Sequence, residues 1–215
     1  MIRGAIFDLD GTLLDSMGIW HTVASDYLKS IGVTPHADVD DAVRTLSMED
    51  AARHFIQVYG VSRTVPDIVR DVSNRIAAFY RERVQLKPGA TALLASLKDH
   101  GIRLCAATSG DGELARAALS RCGVLKALEP VFTCAEVGRG KDSPAIYEAA
   151  RAYLGTQVHE TAVFEDALYA LQTAKQAGFY TVAVEDESAL RDRDAIRACA
   201  DSYLSTLADW GTLPI

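Results

Sequence analysis

Cysteine is scarce in this chain: Cys105, Cys122, Cys134 and Cys199 are the four among 215 residues. None falls in a CxxC pair or in a Cys/His cluster with zinc spacing, and all lie among apolar or small neighbours. This excludes a disulfide scaffold and a structural zinc site, and leads to the expectation of reduced thiols in a cytoplasmic protein. Basic residues are in deficit as well. The 22 Lys and Arg face 29 Asp and Glu, for a formal net charge of −7. Such a balance argues against a general binder of nucleic acid or of anionic membranes. No apolar run reaches the ~18 residues that a membrane span needs. Acidic residues appear by position 8, so the first stretch reads as neither a signal peptide nor a transit peptide. Internal repeats, low-complexity tracts and long charge blocks are lacking too, and nothing resembles a coiled coil, so a monomer or weak dimer is expected.

What is present is ample apolar material. With 49% hydrophobic residues, the chain can build one large core, or one domain carrying an insertion. Apolar, partly β-branched runs read as strands at 2–7, 102–108, 130–137, 161–166 and 179–186, with a short last one near 204. Between them lie the helical patterns DGELARAALSRCG, SPAIYEAARAYLG and ALYALQTAKQAG, each stopping at or near a Gly. Strands alternating with single helices predict a Rossmann-like α/β fold, a parallel sheet with helices on both faces. Strands that are apolar without alternation fit burial on both sides. Residues 16–87 break the rhythm: three amphipathic helical stretches appear there without a convincing strand, and LKPGA then marks the return. The expected organisation is an α/β core from 1–15 and 88–215, with an all-helical insertion at 16–87.

In open parallel sheets, ligands sit at the carboxyl ends of the strands. This sequence puts Asp8 and Asp10 at the end of the first strand, Thr108 and Ser109 at the end of the second, and Glu165 and Asp166 at the end of the fourth. The loop after the third carries Lys141. Converging carboxyl groups suit a hard cation, Mg²⁺ by preference. A hydroxyl and an ammonium group suit phosphate oxygens, and backbone N–H groups of the turn through Gly11 and Thr12 offer an anion cradle. One carboxylate can attack phosphorus while a second serves as acid and base.

These motifs resemble those of the haloacid dehalogenase superfamily, phosphatase branch. The DxDGT motif is matched by Asp8, Asp10, Gly11 and Thr12. LCAATS supplies the strand ending in Thr108, Lys141 precedes a helix, and Glu165 with Asp166 forms the acidic pair. The resemblance implies a Mg²⁺-dependent hydrolase acting on a small phosphorylated metabolite through an aspartyl-phosphate. In that scheme Asp8 is the nucleophile and Asp10 the acid and base. Asp8, the Asp10 carbonyl and Asp166 bind the metal, with Glu165 adjacent or acting through water. Thr108 and Lys141 hold the phosphoryl group. The insertion resembles the family's C1 cap, which closes over the site and contacts substrate; its candidate residues are Trp20, His21, Arg44, Met48, Arg81 and Arg83.

Other readings stand beside this one. A sugar phosphomutase of the β-phosphoglucomutase type resembles the chain in length and cap, but Met48 occupies the position where those enzymes carry an Arg. The dehalogenase branch lacks the second Asp, present here as Asp10. A low-turnover phosphate-binding protein draws its support from two departures: KDSP, where Asp142 replaces a Pro, and EDALYA, where Ala167 and Ala170 replace Ser and Gly. GDGELA matches the weak GxGxxA dinucleotide pattern in mid-chain. Plainer readings also exist: Lys141 as a solvated loop lysine, and Thr108 as a helix cap beside Ser109 and Asp111.

Overall fold

A computed structural model describes residues 1–44 and 46–213. Its main sheet holds six parallel strands. They are β1 (Gly4–Phe7), β4 (Arg103–Thr108), β5 (Val131–Thr133), β6 (Thr161–Glu165), β7 (Tyr180–Val184) and β8 (Ser202–Leu204), in the order β5-β4-β1-β6-β7-β8. The two-residue strands β2 (Leu14–Asp15) and β3 (Gln85–Leu86) form a separate antiparallel ribbon. The chain divides into two units: Met1–Ser16 together with the chain from Val84 onward, and Met17–Arg83.

The second unit is helical. After a 3₁₀ turn at Met17–His21 come α1 (Val23–Ser30), α2 (Val39–Val43), α3 (Met48–Tyr59) and α4 (Val65–Glu82). Ser47 and Thr64 cap α3 and α4, accepting from the amides of Asp50 and Asp67. The helices enclose a core of their own around Tyr27, Leu28, Phe55 and Ile68. Thr45, within one of the three expected helical stretches, lies outside the described residues.

In the first unit, α5 (Ala90–Asp99), α6 (Gly112–Arg121), α7 (Leu125–Leu128), α8 (Cys134–Val137), α9 (Ala145–Leu154), α10 (Leu168–Gln176) and α11 (Arg193–Cys199) accompany the sheet. β1 is central and buried throughout, which explains its continuous apolar character. Alternation along the strands sorts the packing. Ile6, Cys105, Ala107 and Val163 meet Ile146, Tyr147 and Leu154 of α9. Phe7 and Phe164, on neighbouring strands, stack with centroids 4.3 Å apart. Burial pushes the Cys105 thiol up to about 12, so it stays protonated.

Two expectations need correction. The run 130–137 is a strand only over Val131–Thr133. Thr133 and Glu136 then form a capping box, each side chain accepting from the other's amide at 3.1 Å, and Cys134–Val137 turns into α8. Residues 16–87 also do contain a strand, since β3 closes the ribbon that brackets the helical unit. A two-residue strand is too short to leave a period in the sequence.

Where the chain re-enters the first unit, Lys87 anchors it. Its amide donates to the Leu13 carbonyl at 2.8 Å. Its Nζ donates to the Glu185 carbonyl and pairs with Asp186, both at 2.7 Å, with little exposure. Lys87→Met should lower stability by about 3 kcal/mol, because Asp186 is left buried without its cation. Burial pushes the Asp186 carboxyl up, but the bonds from Lys87 and Ser188 outweigh it and hold the group below 3.8. An acid held low contributes stability above its ordinary pKa and loses that contribution as pH falls through the lowered one. Urea titrations should therefore separate wild type from variant at neutrality, and the gap should close only as pH falls below 3.8 through the lowered pKa.

Candidate active site

The chain leaves β1 at Asp8 and turns sharply. The Leu9 carbonyl accepts from the amides of Thr12, Leu13 and Leu14 at 3.2, 3.0 and 2.7 Å, and the Gly11 amide donates to Leu14 at 3.1 Å. Gly11 has φ +84°, which a residue without Cβ adopts freely. Leu9, Leu13 and Leu14 are fully buried and pin the turn to the core. Of the turn's amides expected to offer an anion cradle, those of Gly11 and Thr12 donate within the turn, to the Leu14 and Leu9 carbonyls. The Thr12 hydroxyl donates to Asp166 Oδ1 at 3.1 Å.

Strand register brings the acids together. Phe7 pairs with Phe164, so Asp8 and Glu165 follow side by side, and the Asp8 amide donates to the Phe164 carbonyl at 3.0 Å. Lys141 is 3% exposed and donates to Asp8 Oδ1 and, at 2.5 Å, to Glu165 Oε1. This buried position rules out the solvated-loop reading. Burial pushes the Lys141 ammonium down, but the charges of Asp8 and Glu165 outweigh it and hold the group above its ordinary range. Burial also raises the Glu165 and Asp166 carboxyls, and the charge of Asp8 adds to both shifts.

On the β4 side, Thr108 is 1% exposed and its Oγ1 accepts from the Gly110 amide at 2.9 Å. Ser109 is exposed, with its hydroxyl 3.4 Å from Cys134 Sγ. The helix cap here is Asp111, which accepts from the amides of Glu113 and Leu114. That corrects the capping alternative for Thr108 and gives the GDGELA segment a structural task. Asp10 is half-buried, and Ser16 donates to its Oδ1 at 2.7 Å.

Three residues near these groups escaped the sequence reading. Tyr147 donates to Glu165 Oε1 at 2.8 Å, Ser16 holds Asp10, and Gly110 leaves room beside it. A Cβ on Gly110 would stand 3.1 Å from Asp10 Oδ2 and 3.2 Å from Thr108 Oγ1. A glycine in mid-motif was the one available signal. Ser16 and Tyr147 look like ordinary polar and core positions. At the two departures from the family pattern, Asp142 is exposed while Lys141 is buried, Ala167 is half-buried and Ala170 is fully buried. Trp20, His21, Arg44, Met48, Arg81 and Arg83 belong to the helical unit. There Trp20 and His21 are exposed on the 3₁₀ turn, and Met48 packs on the unit's own core. Arg44 pairs with Asp41 at 2.7 Å, and Arg81 and Arg83 are exposed.

The acids fit a divalent cation. Oxygens of Asp8, Glu165 and Asp166 lie within 4.8 Å of one another, and all three residues are buried. Lys141 offsets one of the three negative charges, so two remain in a low-dielectric site. All-oxygen donors suit a hard ion. An acid whose pKa is raised by folding destabilises the native state once it ionises, so stability falls as pH rises through that pKa. A bound cation reverses this penalty. Mg²⁺ should therefore raise the melting temperature more at about pH 8 than at about pH 5, and Asp166→Ala should abolish most of that gain in thermal-shift measurements.

The chain matches the family model for haloacid dehalogenase-like hydrolases over residues 5–184. It is 32% identical to hexitol phosphatase A of Escherichia coli (strain K12) over 184 residues, 85% of this chain and 82% of that protein. It is 30% identical to the validoxylamine A 7'-phosphate phosphatase of Streptomyces hygroscopicus subsp. limoneus over 203 residues, 91% of this chain and 93% of the relative. Among solved structures, a β-phosphoglucomutase-like protein from Thermotoga maritima superposes with a TM-score of 0.84 at 22% identity, covering 97% of this chain and 96% of that one. CbbY from Rhodobacter sphaeroides, solved with xylulose-1,5-bisphosphate, gives 0.75 at 24% identity, covering 98% and 97%. At these identities the two structures speak for the fold alone. Among the described residues, no helix is long and apolar enough to cross a membrane.

Proposed function

The chain belongs to the haloacid dehalogenase-like hydrolases, and from this premise we propose that it is a Mg²⁺-dependent phosphatase of a small polyhydroxylated phosphate ester. The observation that carries the reading is the buried triad of Asp8, Lys141 and Glu165 beside Asp166. An enclosed ammonium touches Asp8, balancing its negative charge and holding it in place for attack. The names of the two phosphatase relatives support a sugar-like or polyol-like ester as the substrate class.

The reaction then follows from the residues. Asp8 attacks phosphorus and forms an aspartyl-phosphate, while protonated Asp10 gives its proton to the departing alkoxide. Asp10, now a carboxylate, takes a proton from the water that attacks the aspartyl-phosphate. Inorganic phosphate leaves, Asp8 is regenerated, and Asp10 carries its proton into the next cycle. Ser16 orients Asp10 through its hydroxyl. Lys141 and Thr108 hold the phosphoryl oxygens. Asp8, Asp166 and the Asp10 carbonyl would hold the cation, with Glu165 adjacent; the ion supplies neutralisation of charge on the transferring group.

Phosphate release from a panel of hexitol, pentitol and sugar phosphates, with Mg²⁺ or with EDTA, tests the proposal. Release should require the metal, and Asp8→Asn should reduce kcat by on the order of 10⁴ or more with the fold unchanged. Absence of release from every ester, or full activity in Asp8→Asn, overturns it. Interconversion of sugar phosphates without release would replace it with a mutase.

A further inference from the structure

Glu165 and Asp166 are adjacent in sequence, yet their hydrogen-bond partners differ. Asp166 accepts from the Thr12 hydroxyl. Glu165 accepts at a single oxygen, Oε1, from two donors: Lys141 Nζ at 2.5 Å and Tyr147 Oη at 2.8 Å. Tyr147 stands near the start of α9 and is 1% exposed. Its ring packs edge-on against Phe179, with centroids 6.1 Å apart, among Ile6, Cys105 and Val163. Packing of this kind is served equally well by phenylalanine. A buried hydroxyl is unfavourable unless it is bonded, and among the described residues the bond made by this hydroxyl runs to a carboxylate at the site. Burial and the charge of Glu165 both raise the phenol well above its ordinary range, so it acts only as a donor.

We infer that Tyr147 is a positioning residue: its hydroxyl turns Glu165 toward Lys141, so that Glu165 fixes the ammonium against Asp8 and leaves the cation to Asp8 and Asp166. The two adjacent acids thus divide their work through their donors. The ring is set by the core, the ring sets Glu165, and Glu165 sets the lysine. The inference rests on the phosphatase reading for what Lys141 does. The bond from Tyr147 to Glu165 is independent of it.

The test compares wild type, Tyr147→Phe, Glu165→Gln and the double variant. Dissociation constants for Mg²⁺, and for inorganic phosphate with Mg²⁺ present, are measured by calorimetry, together with kcat and KM for the best ester and melting temperatures. Phenylalanine fills the same volume, so the fold is retained. Tyr147→Phe should weaken phosphate about fivefold and lower kcat about tenfold. Its Mg²⁺ affinity should stay within about twofold of wild type. In the Glu165→Gln background the same change should add less than about twofold to either loss. Phosphate affinity and kcat like wild type, with only the melting temperature lowered, would make Tyr147 a core residue and overturn the inference. A roughly tenfold loss of Mg²⁺ affinity in Tyr147→Phe would make Glu165 a metal ligand held by Tyr147, and would overturn it too. Should wild type release no phosphate from any ester, the phosphatase reading fails. The two binding constants still decide the place of Tyr147.

Discussion

Lys141 is an enclosed cation touching two enclosed anions, and the carboxyl edge of the sheet is organised around it. A lone ammonium at that depth would lose its proton, and a lone carboxylate would gain one. Asp8 and Glu165, each from a different part of the chain, keep the Lys141 ammonium charged, and Lys141 in turn opposes the upward push of burial on Glu165. The arrangement is poor as a stabilising device, because desolvation of three charges offsets most of their attraction. Under the proposed function, its value lies in holding the Asp8 carboxylate in place where a phosphate ester would arrive. The surplus negative charge at Asp166 is tolerable in the same sense: it is a place for a cation.

Geometry of this precision comes from the rigid sheet. Asp8, Thr108 and Glu165 extend directly from β1, β4 and β6, so their separations are set by strand spacing and not by loop conformation. The turn after β1 is held by three bonds to one carbonyl, that of Leu9, and by buried leucines. Asp10 is the less buried of the two acids, and the Ser16 hydroxyl donates to it.

Much of this was legible in the sequence. Apolar runs mark the strands because both faces of a parallel sheet are covered, and strand ends mark the site because ligands gather there. Asp8, Asp10, Thr108, Lys141, Glu165 and Asp166 could be singled out, and all lie on one edge. Thr12 was expected at the anion; the bond its hydroxyl gives Asp166 was not foreseen, since a hydroxyl's partner depends on register across 154 positions of sequence separation. Ser16 and Tyr147 were silent for the same reason: a side chain that acts through another has no motif of its own. The shortening of β5 was in fact written as Thr133-x-x-Glu136, a cap signature overridden in the reading by an apolar run. The ribbon of β2 and β3 is too brief to leave a pattern.

The first unit is built from two stretches of chain, and its central strand is the first one made. β1 lies between β4 and β6, whose residues follow it by about a hundred and by more than a hundred and fifty positions. A chain emerging from the ribosome therefore exposes Gly4–Phe7 long before either neighbour exists. The helical unit, continuous in sequence and with its own core, is completed in the interval. No nascent fragment ending before β6 contains Glu165 or Asp166, so none can assemble the charge cluster. The order of synthesis alone withholds the charge cluster until β6 has been made.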